Sequence, residues 1–377
     1  MLSTDHLNEL STHKLAAIES LRGVAALLVL VFHLAELLKL TVPEEFGFIR
    51  THFGLGVPLF YTLSGFVLTY GYVKNIGYEK NAVISFYLRR IFRIAPLFYF
   101  MLIAWLFIDW YLWSKTFSLE ILFLNLIFFF GLVPGEHESI VWAGWSIGIE
   151  MLFYLFFPIT TILVRGKRGS IIAFFIACFL SAATNHALQN ASIGSYAYMN
   201  LVTHLPFFMA GIVCYYTWSE NKFAKHWIGW VLFLGVFPAS AWLTSEKTYL
   251  LLTNIHFGAI ERNAWAIVFC MLILSACLVT NPILERGPLH RLGKLSFSVY
   301  LTHPMIMLAL IKMDINKYLG MLTENHVLHF FMGAGFSIGI VWVVSELTFR
   351  FIETPGMKIG RQVVARFDHS PARRGPN

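Results

Sequence analysis

Ten runs of about 16 to 23 mostly apolar residues recur along the chain, separated by short polar loops. A helix that crosses a bilayer needs roughly 20 such residues, rising about 1.5 Å per residue through some 30 Å of hydrocarbon. The runs cover 17–38, 53–73, 94–112, 145–164, 170–188, 203–218, 227–243, 264–280, 296–312 and 330–352. Only 13% of the 377 residues are charged, against about 25% in a soluble domain. With a mean hydropathy of +0.66, that excludes an ordinary soluble enzyme, a secreted disulfide scaffold and a disordered chain. The expected fold class is all-α, a polytopic membrane helix bundle of about ten spans, with the lipid bilayer as its first partner.

An eleventh apolar run, 118–133, decides the topology. Lys and Arg of short loops stay preferentially on the cytoplasmic side. If 118–133 does not cross, 21 of the 28 basic residues fall inside. If it does cross, only 11 do. The run therefore reads as a re-entrant or interfacial helix on the outer side, and both termini as cytoplasmic. Half-crossing backbone is tolerated where it lines a cavity, so 118–144 is a candidate wall of a site.

Residues 1–13 read as a polar cytoplasmic N-terminus, 14–355 as the transmembrane domain and 356–377 as a cytoplasmic tail expected to fray. Asp5 and Glu9 make the start unlike a signal peptide, so the first run is expected to be a retained anchor. The net charge of +7 lies in loops rather than along one soluble face, which excludes nucleic-acid binding. Cys178, Cys214, Cys270 and Cys277 lie inside spans without a CxxC pair, as apolar packing residues. No histidine has a metal-ligand spacing such as HExxH, so no metal is expected.

Charges at membrane depth are costly and ask for a functional explanation first. Arg22 and His33 lie eleven residues apart on the first span, on one helix face and separated by about 16 Å. Glu36 adds a carboxylate one turn further on. Glu150, in Trp145-Ser146-Ile147-Gly148-Ile149-Glu150, sits about 7 Å below the outer face, at a depth compatible with His33. Arg90 and Arg93, one turn apart at the cytoplasmic end of the third span, suit a phosphate, because the guanidinium fork matches its oxygens. Arg89 reads as a positive-inside anchor. Tyr300 and His303 occupy adjacent turns of the ninth span.

These stretches together resemble the acyltransferase-3 family of membrane O-acyltransferases. The resemblance rests on Arg22 and His33 at their spacing, Phe53-Gly54-Leu55-Gly56 through Ser64-Gly65-Phe66, and Arg89-Arg90-Ile91-Phe92-Arg93-Ile94-Ala95-Pro96. It continues through Trp145–Glu150, Phe297-Ser298-Val299-Tyr300-Leu301-Thr302-His303-Pro304 and Phe349-Arg350-Phe351-Ile352-Glu353-Thr354-Pro355, and covers roughly 14–355. Pro58 departs from the pattern, with consequences for helix bend alone.

The resemblance implies an acyl group, usually acetyl, taken from cytoplasmic acetyl-CoA and delivered to a hydroxyl of a glycan or lipid-linked sugar acceptor outside. It implies a bacterial inner membrane location. On this reading His33 is the general base and Glu150 its electrostatic partner. Arg22, Arg90, Arg93, Tyr300 and His303 bind the acyl-CoA donor, and Glu36, Trp145 and Ser146 the acceptor. An acyl-His33 intermediate is the mechanistic rival. The competing class is an ion- or proton-coupled transporter that uses the same buried His, Glu and Arg as a relay; the lack of inverted repeats stands against it.

Overall fold

The computed structural model describes residues 4–38, 40–76, 81–191, 194–220, 225–245, 248, 259–279 and 281–368, with side chains from Leu15 onward. Most of the outer loop 244–263 and the last residues of the tail, 369–377, lie outside them. Among the described residues there is no strand, and ten helices are long and apolar enough to cross a membrane.

Helix α1 runs Thr4–Leu37, α2 Gly56–Tyr72 and α3 Ala82–Trp113. A short α4 (Leu119–Leu126) and an irregular stretch lead to α5 (Trp145–Leu163). Then come α6 (Gly166–Asn190), α7 (Leu201–Glu220), α8 (His226–Leu243) and α9 (Ile260–Leu278). Helix α10 spans Pro288–Lys312 and α11 His326–Thr348. A π-helical turn, Phe349–Glu353, joins α11 to α12 (Thr354–Asp368).

Local chemistry sets several of these boundaries. Helix α10 starts with Pro288 at its first position after Gly287 at φ +87°, where a missing N–H costs nothing. Asn325 caps α11 by accepting from the backbone N–H groups of Val327 and Leu328. Ser118 does the same for α4 through Ile121. At eight residues, α4 is about 12 Å long, too short to cross, in keeping with the expected re-entrant or interfacial helix.

Two helix pairs meet at backbone distance. A Cβ on Gly65 of α2 would lie 2.1 Å from the Phe208 carbonyl oxygen of α7, and one on Gly211 of α7 2.1 Å from that of Thr62. Likewise a Cβ on Gly293 of α10 would lie 2.0 Å from the Glu19 oxygen of α1. Aromatic rings fill the space beside the first contact, with Phe153 stacked on Phe208 at 3.9 Å and Tyr61 on Phe208 at 4.7 Å. Helices α6 and α8 stand at the rim. Their Phe175, Phe179, Leu234 and Phe237 are exposed, as lipid-facing side chains are.

The tail departs from expectation. Residues 354–368 form α12, which lies along α3 rather than fraying. Gly356 and Gly360 make this fit: a Cβ on either would come within 2.5 Å of the Pro96 or Phe92 side chain of α3. The third span also begins twelve residues earlier than its apolar run, at Ala82 rather than 94. Arg89, Arg90 and Arg93 therefore belong to a continuous helix and not to a loop.

Candidate active site

Two imidazoles from opposite ends of the sequence meet at the centre of the site. His33 Nδ1 and His303 Nε2 are 3.0 Å apart, with ring centroids at 5.0 Å. His303 is fully buried, and its Nδ1 lies 3.1 Å from the Val299 carbonyl oxygen one turn back. A carbonyl only accepts, so that nitrogen carries the hydrogen. The neutral His303 ring then offers a lone pair at Nε2, and His33 Nδ1–H donates to it. This chain of donors leaves the lone pair of His33 on Nε2, away from His303. The Trp142 ring closes the other flank of His33 at 5.5 Å between centroids.

Glu150 is held elsewhere. Its carboxylate accepts from Ser64 Oγ at 2.5 Å and from the Tyr154 hydroxyl, and among the described residues no bond joins it to His33. Ser146 and Tyr300 pair next to it. Ser146 Oγ donates to the Tyr300 hydroxyl at 2.6 Å, and that hydroxyl donates to the Ala143 carbonyl at 3.2 Å. Ala143 has φ +64°, a left-handed conformation that costs a non-glycine residue about 1–2 kcal/mol. Tyr300 also touches His303 edge-on at 5.8 Å. Trp145 turns away, toward Tyr198 and His204. Glu36 is exposed on α1, one turn beyond His33.

At the Arg22 end of the bundle lies a cavity of about 440 Å³ lined by Glu19, Arg22, Arg90, Arg93, Lys294 and Arg361 among others. Cations outnumber carboxylates there, and the Nε atoms of Arg22 and Arg90 are buried without a hydrogen-bond partner. Arg90 bonds the Tyr72 hydroxyl at 3.1 Å and lies over the Tyr72 and Tyr154 rings. Arg93 is committed otherwise, to Glu353 at 2.9 Å. Glu353 is fully buried and also accepts from Ser298. This cradle of unspent guanidinium donors fits an anionic phosphate ligand.

Arg22 also lines a narrow void of about 30 Å³ with Tyr61, Ser146, Glu150 and Tyr300. Beyond His33, at the other end of the bundle, a further cavity of about 290 Å³ is bounded by Trp142 and Pro304. Basic cavity, narrow void, histidine pair and second cavity thus follow one another through shared residues.

Sequence reasoning assigned His33 a carboxylate partner, and the structure supplies His303 instead. It did not single out Ser64, Tyr154, Trp142 or Glu353. The Ser64-Gly65 and Glu353-Thr354-Pro355 motifs held two of these four. Among the described residues no group of three or more His, Cys, Asp or Glu could hold a metal ion.

An all-α bundle with ten helices long and apolar enough to cross a bilayer among its described residues is a polytopic membrane protein. The chain belongs to the Acyl_transf_3 acyltransferase domain family, whose profile matches residues 15–346. It is similar to the peptidoglycan O-acetyltransferase OatA of Listeria monocytogenes, 23% identical over 91% of this chain and 56% of that one. A putative O-acetyltransferase of Staphylococcus aureus is 24% identical over 91% of this chain and 57% of its own length. A putative acetyltransferase of Acidianus two-tailed virus is 26% identical over 76% of this chain and 81% of that protein. The chain thus spans a little over half the length of the two bacterial relatives. No solved structure matches it.

Proposed function

We propose that the chain is a membrane O-acetyltransferase that moves acetyl from cytoplasmic acetyl-CoA to a hydroxyl of an extracytoplasmic glycan. The observation that carries this reading is the contact of His33 Nδ1 with His303 Nε2 at 3.0 Å, which assigns the basic lone pair of His33 to Nε2, beside Trp142 of the second cavity. The relatives named for O-acetyl transfer support the acyl group. The positive-inside count supports placing the Arg22 end in the cytoplasm.

Arg22 and Arg90 hold the donor's phosphates, with Lys294 and Arg361 at the rim. The span of about 16 Å from Arg22 to His33 is on the scale of an extended pantetheine arm. His33 Nε2 removes the proton from the acceptor hydroxyl as that oxygen attacks the thioester carbonyl carbon. The C–O bond forms, the C–S bond breaks, and His33 returns its proton to the departing thiolate. His303 Nε2 accepts from His33 Nδ1–H and so holds the tautomer, which keeps the base aimed. The Ser146–Tyr300 pair and Glu150 shape the narrow void through which the acetyl end reaches His33.

The test measures O-acetyl ester on envelope glycans of a deletion strain complemented with wild type or with His33→Ala at matched protein level. Ester restored by wild type alone is the expected result. Ester unchanged by the deletion overturns the acetyltransferase reading, and full rescue by the variant overturns the role of His33.

A further inference from the structure

Helix α3 carries Trp105, Asp109 and Trp113 at intervals of four residues, which places all three on one face. That face, with Glu138 and Trp142 of the stretch before α5, lines the cavity of about 290 Å³ beside His33. We propose that this cavity is the subsite for the acceptor's sugar ring, and that it selects an uncharged or amino pyranose over an anionic one. The inference rests on the acetyltransferase reading and deepens it.

Three features point to a sugar. First, the indoles of Trp113 and Trp142 on the lining are 51% and 38% exposed, and a pyranose presents a matching flat face of C–H groups; large, rigid aromatics give contact area at little entropic cost. Second, polar groups in the wall stand ready for hydroxyls. Trp105 is 5% exposed, and its indole N–H is buried with no hydrogen-bond partner. Asp109 is 9% exposed, and among the described residues no hydrogen bond reaches its carboxylate. Buried polar groups in native proteins are nearly always bonded, which leaves the Trp105 N–H short of an acceptor, and the Asp109 carboxylate on the cavity wall can accept two hydroxyls at once. Third, the volume lies at the small end of ligand sites, about 300–1,000 Å³, enough to seat one ring.

The wall is built to hold its shape. Ser139, which also lines the cavity, has φ +72°. Its Oγ donates to Asn125 Oδ1 at 2.7 Å, and the same oxygen accepts from the Ile140 N–H at 3.1 Å. Asn125 is fully buried at the end of α4. Backbone strain held in place by surrounding bonds is a mark of ligand clamps. Trp142 belongs both to this wall and to the flank of His33, so a hydroxyl on a stacked ring lies next to the base. The charge balance sets the selectivity: among the described residues of the lining, Asp109 and Glu138 face a single cation, Lys115, and an acidic sugar would meet net repulsion.

The test uses the full chain in lipid nanodiscs, radiolabelled acetyl-CoA, and saccharides released from the envelope glycan of the deletion strain. Anion exchange separates the saccharides into an uncharged and an anionic pool. Label is expected in the uncharged pool, at least tenfold over the anionic one. Trp113→Ala and Asp109→Asn are expected to raise the half-saturating saccharide concentration at least tenfold, with that of acetyl-CoA unchanged. Trp113→Phe, which keeps the aromatic face, is expected to recover most of the loss. Label in the anionic pool overturns the selectivity. An unchanged saccharide requirement, or a parallel rise for acetyl-CoA, overturns the subsite. A wild-type protein that transfers no label and gains no thermal protection from acetyl-CoA overturns the underlying reading, and the subsite with it.

Discussion

His33 on α1 and His303 on α10 are hydrogen-bonded at 3.0 Å across 270 residues of sequence, and His303 in turn is bonded to the Val299 carbonyl. The first imidazole therefore has one nitrogen fixed as a donor and the other left as a base. His303→Ala is expected to lower kcat at least tenfold with the KM for acetyl-CoA unchanged. His303→Gln, whose amide oxygen can accept from His33, is expected to recover part of the loss. A rise in KM without a fall in kcat would return His303 to the donor-binding role that its place in the sequence suggests.

Arg90 presents its guanidinium between two tyrosine rings, and Arg22 faces the same cavity. Arg90→Lys keeps the charge and loses the planar fork. It is expected to raise the KM for acetyl-CoA about tenfold, which steady-state kinetics at fixed acceptor will read. An unchanged KM would remove Arg90 from the donor site.

The Arg93–Glu353 pair ties α3 to the π turn before α12. Glu353→Gln leaves a cation mostly out of water without its counter-charge, a loss of about 3–5 kcal/mol. The single variant is expected to melt well below wild type in detergent. The double variant Arg93→Met with Glu353→Gln is expected to recover most of the difference. Equal melting of single and double variants would mean that the unpaired Arg93 charge is not the source of the loss.

Gly65→Ala is expected to destabilise the bundle by about 1–3 kcal/mol, since its Cβ would meet the Phe208 carbonyl. Gly339→Ala on α11, where a Cβ meets nothing within 4 Å, is expected to be neutral or slightly stabilising. Thermal melting of the two variants side by side makes the comparison.

His137 packs edge-on against Tyr196 and accepts from the Gly135 N–H through Nδ1. Burial holds its imidazole below the usual pKa, against the opposing pull of Glu138 and Glu136. The unfolded loop binds a proton more readily than the folded one, so stability falls as pH drops below about 6.5. Hydrogen-exchange protection across 130–143, corrected for the intrinsic pH dependence of exchange, is expected to fall between pH 7.5 and 5.5 in wild type. In His137→Gln the rate is expected to follow intrinsic chemistry alone. Equal protection at both pH values in wild type would refute the linkage of His137 protonation to the stability of this stretch.

The spans were legible because hydrocarbon imposes a length and a composition that no other environment does. That constraint left 118–133 ambiguous, and the Lys and Arg count of the loops, not its length, read it as a run that does not cross. The partner of His33 was not legible. Depth alone admits any polar residue of a neighbouring helix, and Glu150 and His303 both qualified until the packing of α1 on α10 chose between them. Helix α12 did carry a signal. Gly356 and Gly360 stand four apart, the spacing by which small residues let helices approach, but the surrounding polarity masked it. Trp105, Asp109 and Trp113 were hidden for the opposite reason, since aromatics near the end of a span are commonplace as interface anchors.

The contact between Gly65 and Gly211 also restricts how the bundle can move. A shear of one turn between α2 and α7 would carry Tyr61 or Thr69 to the place of Gly65, and Phe207 or Tyr215 to that of Gly211. Each of these side chains would drive into the neighbouring backbone. The contact of α10 with α1 at Gly293 is closed in the same manner. A rocker that exposes one side of the membrane and then the other must part or slide such pairs. These two pairs are closed to that stroke, so α2 with α7 and α1 with α10 make a frame that stands still.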